Sequence, residues 1–164
     1  NADAQNVLIP DAKLNVGREK STIQSKKKQY KDGYKHLPTN LDIKDWDYVY
    51  QIHKNSNGTH FDLRLYCPSD SDNVFSFSAK HNVLDRNFPT PLRRNRDHTQ
   101  DALTFEGAFQ SKKGKINTLV TLENGAATLI DLDKTGMIFE AEKRIFRLKH
   151  LSGKKYAYVP VYVK

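Results

Sequence analysis

DYVYQIHKNSNGTHFDLR, residues 47–64, sets two alternating runs around a turn-rich linker. Successive side chains of a strand point to opposite faces. In the second run His60, Asp62 and Arg64 therefore share one face, and Phe61, Leu63 and Leu65 share the other. In the first run Tyr48, Tyr50 and Ile52 alternate with Val49, Gln51 and His53. A hairpin through Lys54–Thr59 returns His53 to the neighbourhood of His60. A histidine beside an aspartate can hold a divalent ion, and an arginine next to them can grip a phosphate. The stretch thus predicts a His-His-Asp cluster with an anion-binding arginine, the groups of a hydrolytic phosphoesterase site. An antiparallel sheet with one face in water shows the same alternation. A curled sheet turns that face into the lining of a concave pocket, which Ser76, Ser78 and Lys80 on the next run would extend.

Outward from this stretch the pattern stays β. Strands are expected over His60–Cys67, Val74–Lys80, Ile116–Leu122, Ala127–Leu132, Met137–Ala141, Arg144–Leu148 and Tyr156–Val163. Glu123-Asn124-Gly125-Ala126 reads as a hairpin turn, because Asn-Gly supplies the positive φ angles such turns need. Asn82–Asp101, with its prolines and Arg86, Arg93, Arg94 and Arg96, reads as a long basic loop of the functional kind. Many short strands separated by turn residues predict an all-β protein, an antiparallel barrel or sandwich. Residues 1–45 lack periodicity. They carry Lys26, Lys27 and Lys28, then Tyr30, Lys31, Tyr34 and Lys35, and read as a solvated arm over the core or an electrostatic arm that tracks a phosphate backbone. The barrel domain is expected over 46–164.

The 164 residues suit one domain, and 27 Lys+Arg against 19 Asp+Glu leave a net charge of +8. Such a balance favours a polyanionic partner, most commonly nucleic acid. The single cysteine, Cys67, excludes an internal disulfide and fits a reducing cytoplasm; next to Pro68 it reads as a small buried hydrophobe. No apolar run reaches membrane-spanning length, so no membrane partner is expected. The chain begins at Asn1, which fits an excised or processed piece as well as a stand-alone chain with extra leading residues.

Other catalytic patterns are missing. No Gly-x-x-x-x-Gly-Lys-Ser/Thr loop, Gly-x-Ser-x-Gly elbow, Cys-x-x-Cys pair or His-Glu-x-x-His helix occurs in the sequence. Of the six histidines, His36, His81 and His150 have no patterned partners. His98, in RRNRDHTQD, either has no special role or folds over the cluster as a phosphate contact or general acid, with Asp97 and Asp101 able to orient its ring.

These residues resemble a family. QIHKNSNGTHFDLRL is similar to the His-(spacer)-His-Tyr-Asp-Phe-Arg-Leu signature of the 3′-phosphoesterase domain of bacterial ATP-dependent DNA ligase D. FSFSAK stands where that family has a Trp-Ala-Val-Pro-Lys-like strand. RDHTQDALTFEGAF resembles its Glu-Asp-His-Pro-x-x-Tyr-x-x-Phe-Glu-Gly segment, and RIFRLKHLSGKKYAYV its terminal run. The four motifs occur in order over about residues 47–160. The resemblance implies a small closed β-barrel and a manganese-dependent enzyme that removes a 3′-terminal ribonucleoside and then a 3′-phosphate. Its partners would be nucleic-acid 3′ ends, DNA or RNA/DNA, and a ligase or polymerase on the same or another chain. Carried over, His53, His60 and Asp62 are the metal ligands, for Mn²⁺ or for Zn²⁺, which the same donors suit. Arg64 and His98 are the phosphate contacts, and Lys80 is a supporting cation. Three positions depart from the family. Asn57-Gly58-Thr59 replaces an arginine before the second histidine, Ala102 replaces a tyrosine, and residues 1–45 do not match the family's N-terminal motif. Where Ala102 offers no hydroxyl to a phosphate, Tyr30, Tyr34 and the Arg93/Arg94 pair are the candidates to replace it, and an arginine of the 86–96 segment is expected to do so.

Overall fold

The computed structural model describes residues 34, 36–38, 45–69 and 72–162. Its strands are β1 (Trp46–Asn55), β2 (Gly58–Tyr66), β3 (Val74–Ala79), β4 (Thr90–His98), β5 (Gly107–Gln110), β6 (Ile116–Asp133), β7 (Gly136–Ala141), β8 (Ile145–Ser152) and β9 (Lys155–Val161). A 3₁₀ turn (Val83–Asp85) precedes β4, and a one-turn helix α1 (Asp101–Thr104) follows it. Neighbouring strands pair antiparallel in the order β1-β2-β3-β4-β9-β8-β7-β6, and β6 pairs back onto β1. That pairing closes an eight-stranded barrel, with β5 added along the first part of β6. The expected small all-β barrel is thus the fold observed. Closure removes the two free edges an open sheet would leave.

Interior positions follow the alternation read from the sequence. Trp46, Tyr48 and Tyr50 of β1, Leu63 and Leu65 of β2, and Phe75 and Phe77 of β3 are buried with Phe139, Phe146 and Leu148 from the far wall. The rings pack edge-on or offset: Trp46 on Phe139 at 5.2 Å and Phe146 on Tyr158 at 5.0 Å between centroids. Two polar tips among the core rings are paired with charge. Tyr48 donates to Glu123 at 2.9 Å, and Arg144 grips both oxygens of Glu123 at 2.6 and 2.7 Å. Cys67 is buried, as expected.

Two sequence expectations are corrected. Asn124-Gly125 is not a hairpin turn but lies inside the 18-residue β6, opposite Val49 and Tyr48 of β1. Gly125 has φ 155°, and a Cβ there would touch the Tyr48 ring at 3.7 Å. That is ordinary contact, so what favours glycine here is the positive φ, which L side chains rarely adopt. The second correction concerns Asn82–Asp101, read as a loop. It contains the 3₁₀ turn and β4, which pairs with β3 on one side and β9 on the other.

β4 escapes a period-two reading because it is bulged. Ser76 pairs with Asn95 and Val74 with His98, so Phe75 alone opposes Arg96 and Asp97. The extra residue brings His98 onto the same face as Arg93 and Asn95. Most of the basic arm lies outside the described residues. Of the segment through residue 45, Leu37 packs against the core and Tyr34 lies near Arg94 and Lys154. Among the described residues, no helix is long and apolar enough to cross a membrane.

Candidate metal centre and phosphate pocket

The β1–β2 hairpin builds the centre. A two-residue turn at Ser56-Asn57 puts Asn55 opposite Gly58, whose φ of 127° suits glycine, and the register then sets His53 directly across from His60. The two imidazoles lie 4.3 Å apart between centroids. Asp62, on the same face, is buried between them. Its Oδ2 lies 3.2 Å from His53 Nδ1, and its Oδ1 lies 3.2 Å from His60 Nε2. One ligand atom from each residue falls within 4.8 Å of the others. Two ligands on one tetrahedral ion at ~2.0–2.1 Å are separated by roughly 3.3 Å, so each histidine lies at ligand-pair distance from one oxygen of Asp62.

Proton positions around His53 strengthen the fit. The backbone N–H of Asn57 donates to Asn55 Oδ1 at 2.8 Å, which turns the Asn55 amide nitrogen toward Asn117 Oδ1 at 3.3 Å. Asn117 Nδ2 in turn donates to the Lys115 carbonyl at 3.2 Å. Both amides are thereby oriented by backbone groups, and Asn117 Oδ1 is an acceptor. His53 Nε2, 2.9 Å away, must donate to it. In the neutral ring Nδ1 then aims a lone pair at the Asp62 carboxylate. A proton or a metal cation between them makes that approach favourable, and a second hydrogen bond fixing the tautomer is the usual support of a ligating histidine.

Charge at the centre follows the same partners. Burial alone would raise the pKa of Asp62, but its contacts with His53 and His60 and the charge of Arg64 hold it well below the usual carboxylate range. The hydrogen bond to Asp62 raises the pKa of His60 despite its partial burial. Asp62 is thus an anion in any ordinary buffer, ready for a cation.

The cluster opens into a cavity of about 460 Å³. Arg64, Ser76, Arg93, Asn95, Arg96 and His98 line its walls, and Tyr34 stands at its rim. Arg64 is buried; its Nη1 donates to the Ala102 carbonyl at 3.0 Å, and its Nη2 lies 3.7 Å from Asp62. Arg64 Nε and the hydroxyl of Ser76, cross-strand neighbours, are buried and have no hydrogen-bond partner among the described residues. A buried unpaired donor is costly, and an anion in the cavity is a natural partner for both.

The structure gathers His53, His60, Asp62, Arg64, His98 and Arg93 at this cavity. It separates two other expected residues. Lys80 lines a neighbouring cavity of about 660 Å³. Arg94, expected to bind substrate, faces away: its guanidinium pairs with Asp97 at 3.2 Å and lies 5.6 Å from the Phe75 ring. Residues 93 and 94 take opposite faces because they are successive positions of one strand. Ala102 is buried, and its carbonyl, not its side chain, meets Arg64. The sequence reading named Arg96 among the arginines of its basic loop and missed Asn95 and Asn117. Asn95 shares a face with Arg93 by strand period, but its segment reads as a loop, and Asn117 is a lone polar residue whose strand carries no signal of its partner.

No protein-family model matches the chain, and no curated protein matches it either. What the site offers is therefore read from its own donors: a buried carboxylate and two imidazoles close enough to share a metal ion, in a cavity also lined by Arg64, Arg93, Arg96 and His98.

Proposed function

We propose that this barrel is a divalent-metal-dependent phosphoesterase that trims nucleic-acid 3′ ends, removing a 3′-terminal ribonucleoside, a 3′-phosphate or both to leave a 3′-OH. The observation that carries the reading is the convergence of His53, His60 and Asp62 at the foot of a cavity walled by Arg64, Arg93, Arg96 and His98. The order of the four motifs along the chain and the net charge of +8 support it further.

His53, His60 and Asp62 would hold the ion, Mn²⁺ by the family resemblance and Zn²⁺ by donor chemistry alone. When bound, such an ion polarises a phosphoryl oxygen and lowers the pKa of water. Arg64 offers its guanidinium to the phosphoryl oxygens, with the Ser76 hydroxyl beside it. His98 holds a further oxygen or passes a proton to the leaving oxygen. Arg93 and Arg96 supply the cationic contact that Ala102 does not. Asn117 keeps His53 oriented. Repair synthesis or ligation, by a polymerase or ligase on the same or another chain, is the step such an end would feed.

The test is incubation with Mn²⁺ and primers ending in a 3′-phosphate or a single 3′-ribonucleotide. Conversion of both ends to 3′-OH, abolished in His60→Ala, supports the proposal. A second reading is a barrel that binds 3′ ends without turnover. What favours it is that Arg64 already donates to Ala102 and sits beside Asp62, where the resemblance expects a tyrosine to share its work. Primer binding with no product would move that reading to first place.

A further inference from the structure

The cavity of about 660 Å³ that holds Lys80 has no role in the scheme above, yet it adjoins the metal pocket. The two share His60, Arg93 and Asn95 as a common wall. Their linings differ. The metal pocket is crowded with guanidinium and imidazole groups, whereas the neighbour has an apolar floor of Ala79, Pro91 and Leu92. Lys80 and Arg93 are exposed; Arg93, on β4, belongs to the shared wall, whereas Lys80, just past the end of β3, lines the second cavity only. The volume is that of a small-ligand site.

We infer that this second cavity accepts the nucleoside on the 5′ side of the terminal phosphate, with Lys80 holding the phosphate that follows. The inference rests on the phosphoesterase reading of the neighbouring pocket. A group that reaches it while its 3′-phosphate lies against Arg64 and His98 must be covalently attached to that phosphate. Its body must suit an apolar floor, and its far side must suit a cation. A nucleoside flanked by two phosphates has that order: anion, flat weakly polar body, anion. The substrate strand then has one direction in the groove. Its 3′ end lies at Arg64 and His98, and its 5′ portion leaves past His60 toward Lys80. Lys80 thus becomes a contact for the upstream backbone phosphate, and not part of the terminal-phosphate site.

Two probes separate these contacts: adenosine 3′-monophosphate, and adenosine 3′,5′-bisphosphate, which adds only the second phosphate. Their binding is measured by calorimetry on chelator-treated protein, so that no turnover intervenes. The bisphosphate is expected to bind ~10-fold tighter to the wild-type chain, the size of one charge-assisted contact. In Lys80→Ala that advantage should fall below ~2-fold while the monophosphate binds as before. Lys80 is exposed, so the variant should keep its fold, which its thermal midpoint checks. Equal binding of both probes to the wild type, an advantage that survives in Lys80→Ala, or no binding of either probe would each overturn the inference. The primer assay with Mn²⁺ then tells whether the phosphoesterase reading falls with it: product formation keeps that reading, and no product removes both.

Discussion

The groove has two walls, and they are not equally legible in the sequence. The β1–β2 hairpin alternates without interruption, so spacing alone assigns the face carrying His53, His60, Asp62 and Arg64, and the register pairs them as expected. β4 carries as many chemical groups, but a bulge between Asn95 and His98 moves its residues out of phase. Arg93, Asn95, Arg96 and His98 all reach the cavity while Arg94 does not. Strict period makes a site readable; an added residue re-aims side chains in a way that no alternation rule anticipates.

The largest effect should come from the hairpin wall. Asp62→Ala removes the anion between the imidazoles and should abolish metal binding and turnover together, measured by metal titration and the primer assay. Arg64→Lys should lower activity ~10²-fold, because an ammonium cannot replace a two-pronged guanidinium and leaves the Ala102 carbonyl without its donor. Activity like the wild type would show that Arg64 has been misassigned.

Asn117→Ala tests the support behind that wall. Removing the hydrogen bond to His53 Nε2 frees the tautomer, and metal affinity should fall by roughly 10–100-fold, with kcat at saturating metal changed much less. An unchanged metal titration would mean that the Asn55–Asn117 chain has no part in shaping the centre.

The β4 wall is tested by a pair of neighbours. Arg93→Ala should weaken substrate binding by ~10-fold with an unchanged thermal midpoint. Arg94→Ala should leave binding within about 2-fold and lower the midpoint instead, since it breaks the partly buried pair with Asp97. The reverse pattern would place the bulge elsewhere in the strand.

Smallest is an effect on acid stability, remote from both walls. Burial pushes the Glu123 pKa up, but Arg144 and Tyr48 donate to it and bring it below the ordinary 4.5. The unfolded chain therefore takes up a proton near that value while the folded chain resists. The stability from this group is present above about pH 4.5 and is lost as pH falls through the depressed value. Asp62 acts in the same direction. Glu123→Gln should cost about 1–3 kcal/mol at pH 7 and make denaturant midpoints fall less steeply on acidification. An equally steep fall would remove Glu123 from the account.

Most of the barrel is readable because its strands keep a clean apolar period, as in β1, β2, β3 and the Met137–Ala141 run of β7. β6 misleads for a physical reason: Asn-Gly is the strongest local turn signal, yet closure of the barrel needs a strand long enough to pair with β1 and β7 in succession. Tertiary pairing overrides the local preference. β5 escapes notice because four residues are too few to show a period. At the site, the donor set is legible and its orientation is not. The chain from the Asn57 N–H through Asn55 and Asn117 to His53 joins the hairpin to a residue 62 positions beyond Asn55, and only the closed barrel brings them together.

The central claim is that His53, His60 and Asp62 form a metal site serving phosphate-ester cleavage at a nucleic-acid 3′ end. Its most direct test follows a primer with a 3′-phosphate in the presence of Mn²⁺, comparing the wild-type chain with His60→Ala. The wild type should convert the end to a 3′-OH in dependence on added metal, and the variant should give no product. Equal conversion by the two proteins, or conversion by the wild type that persists in chelator, would contradict it.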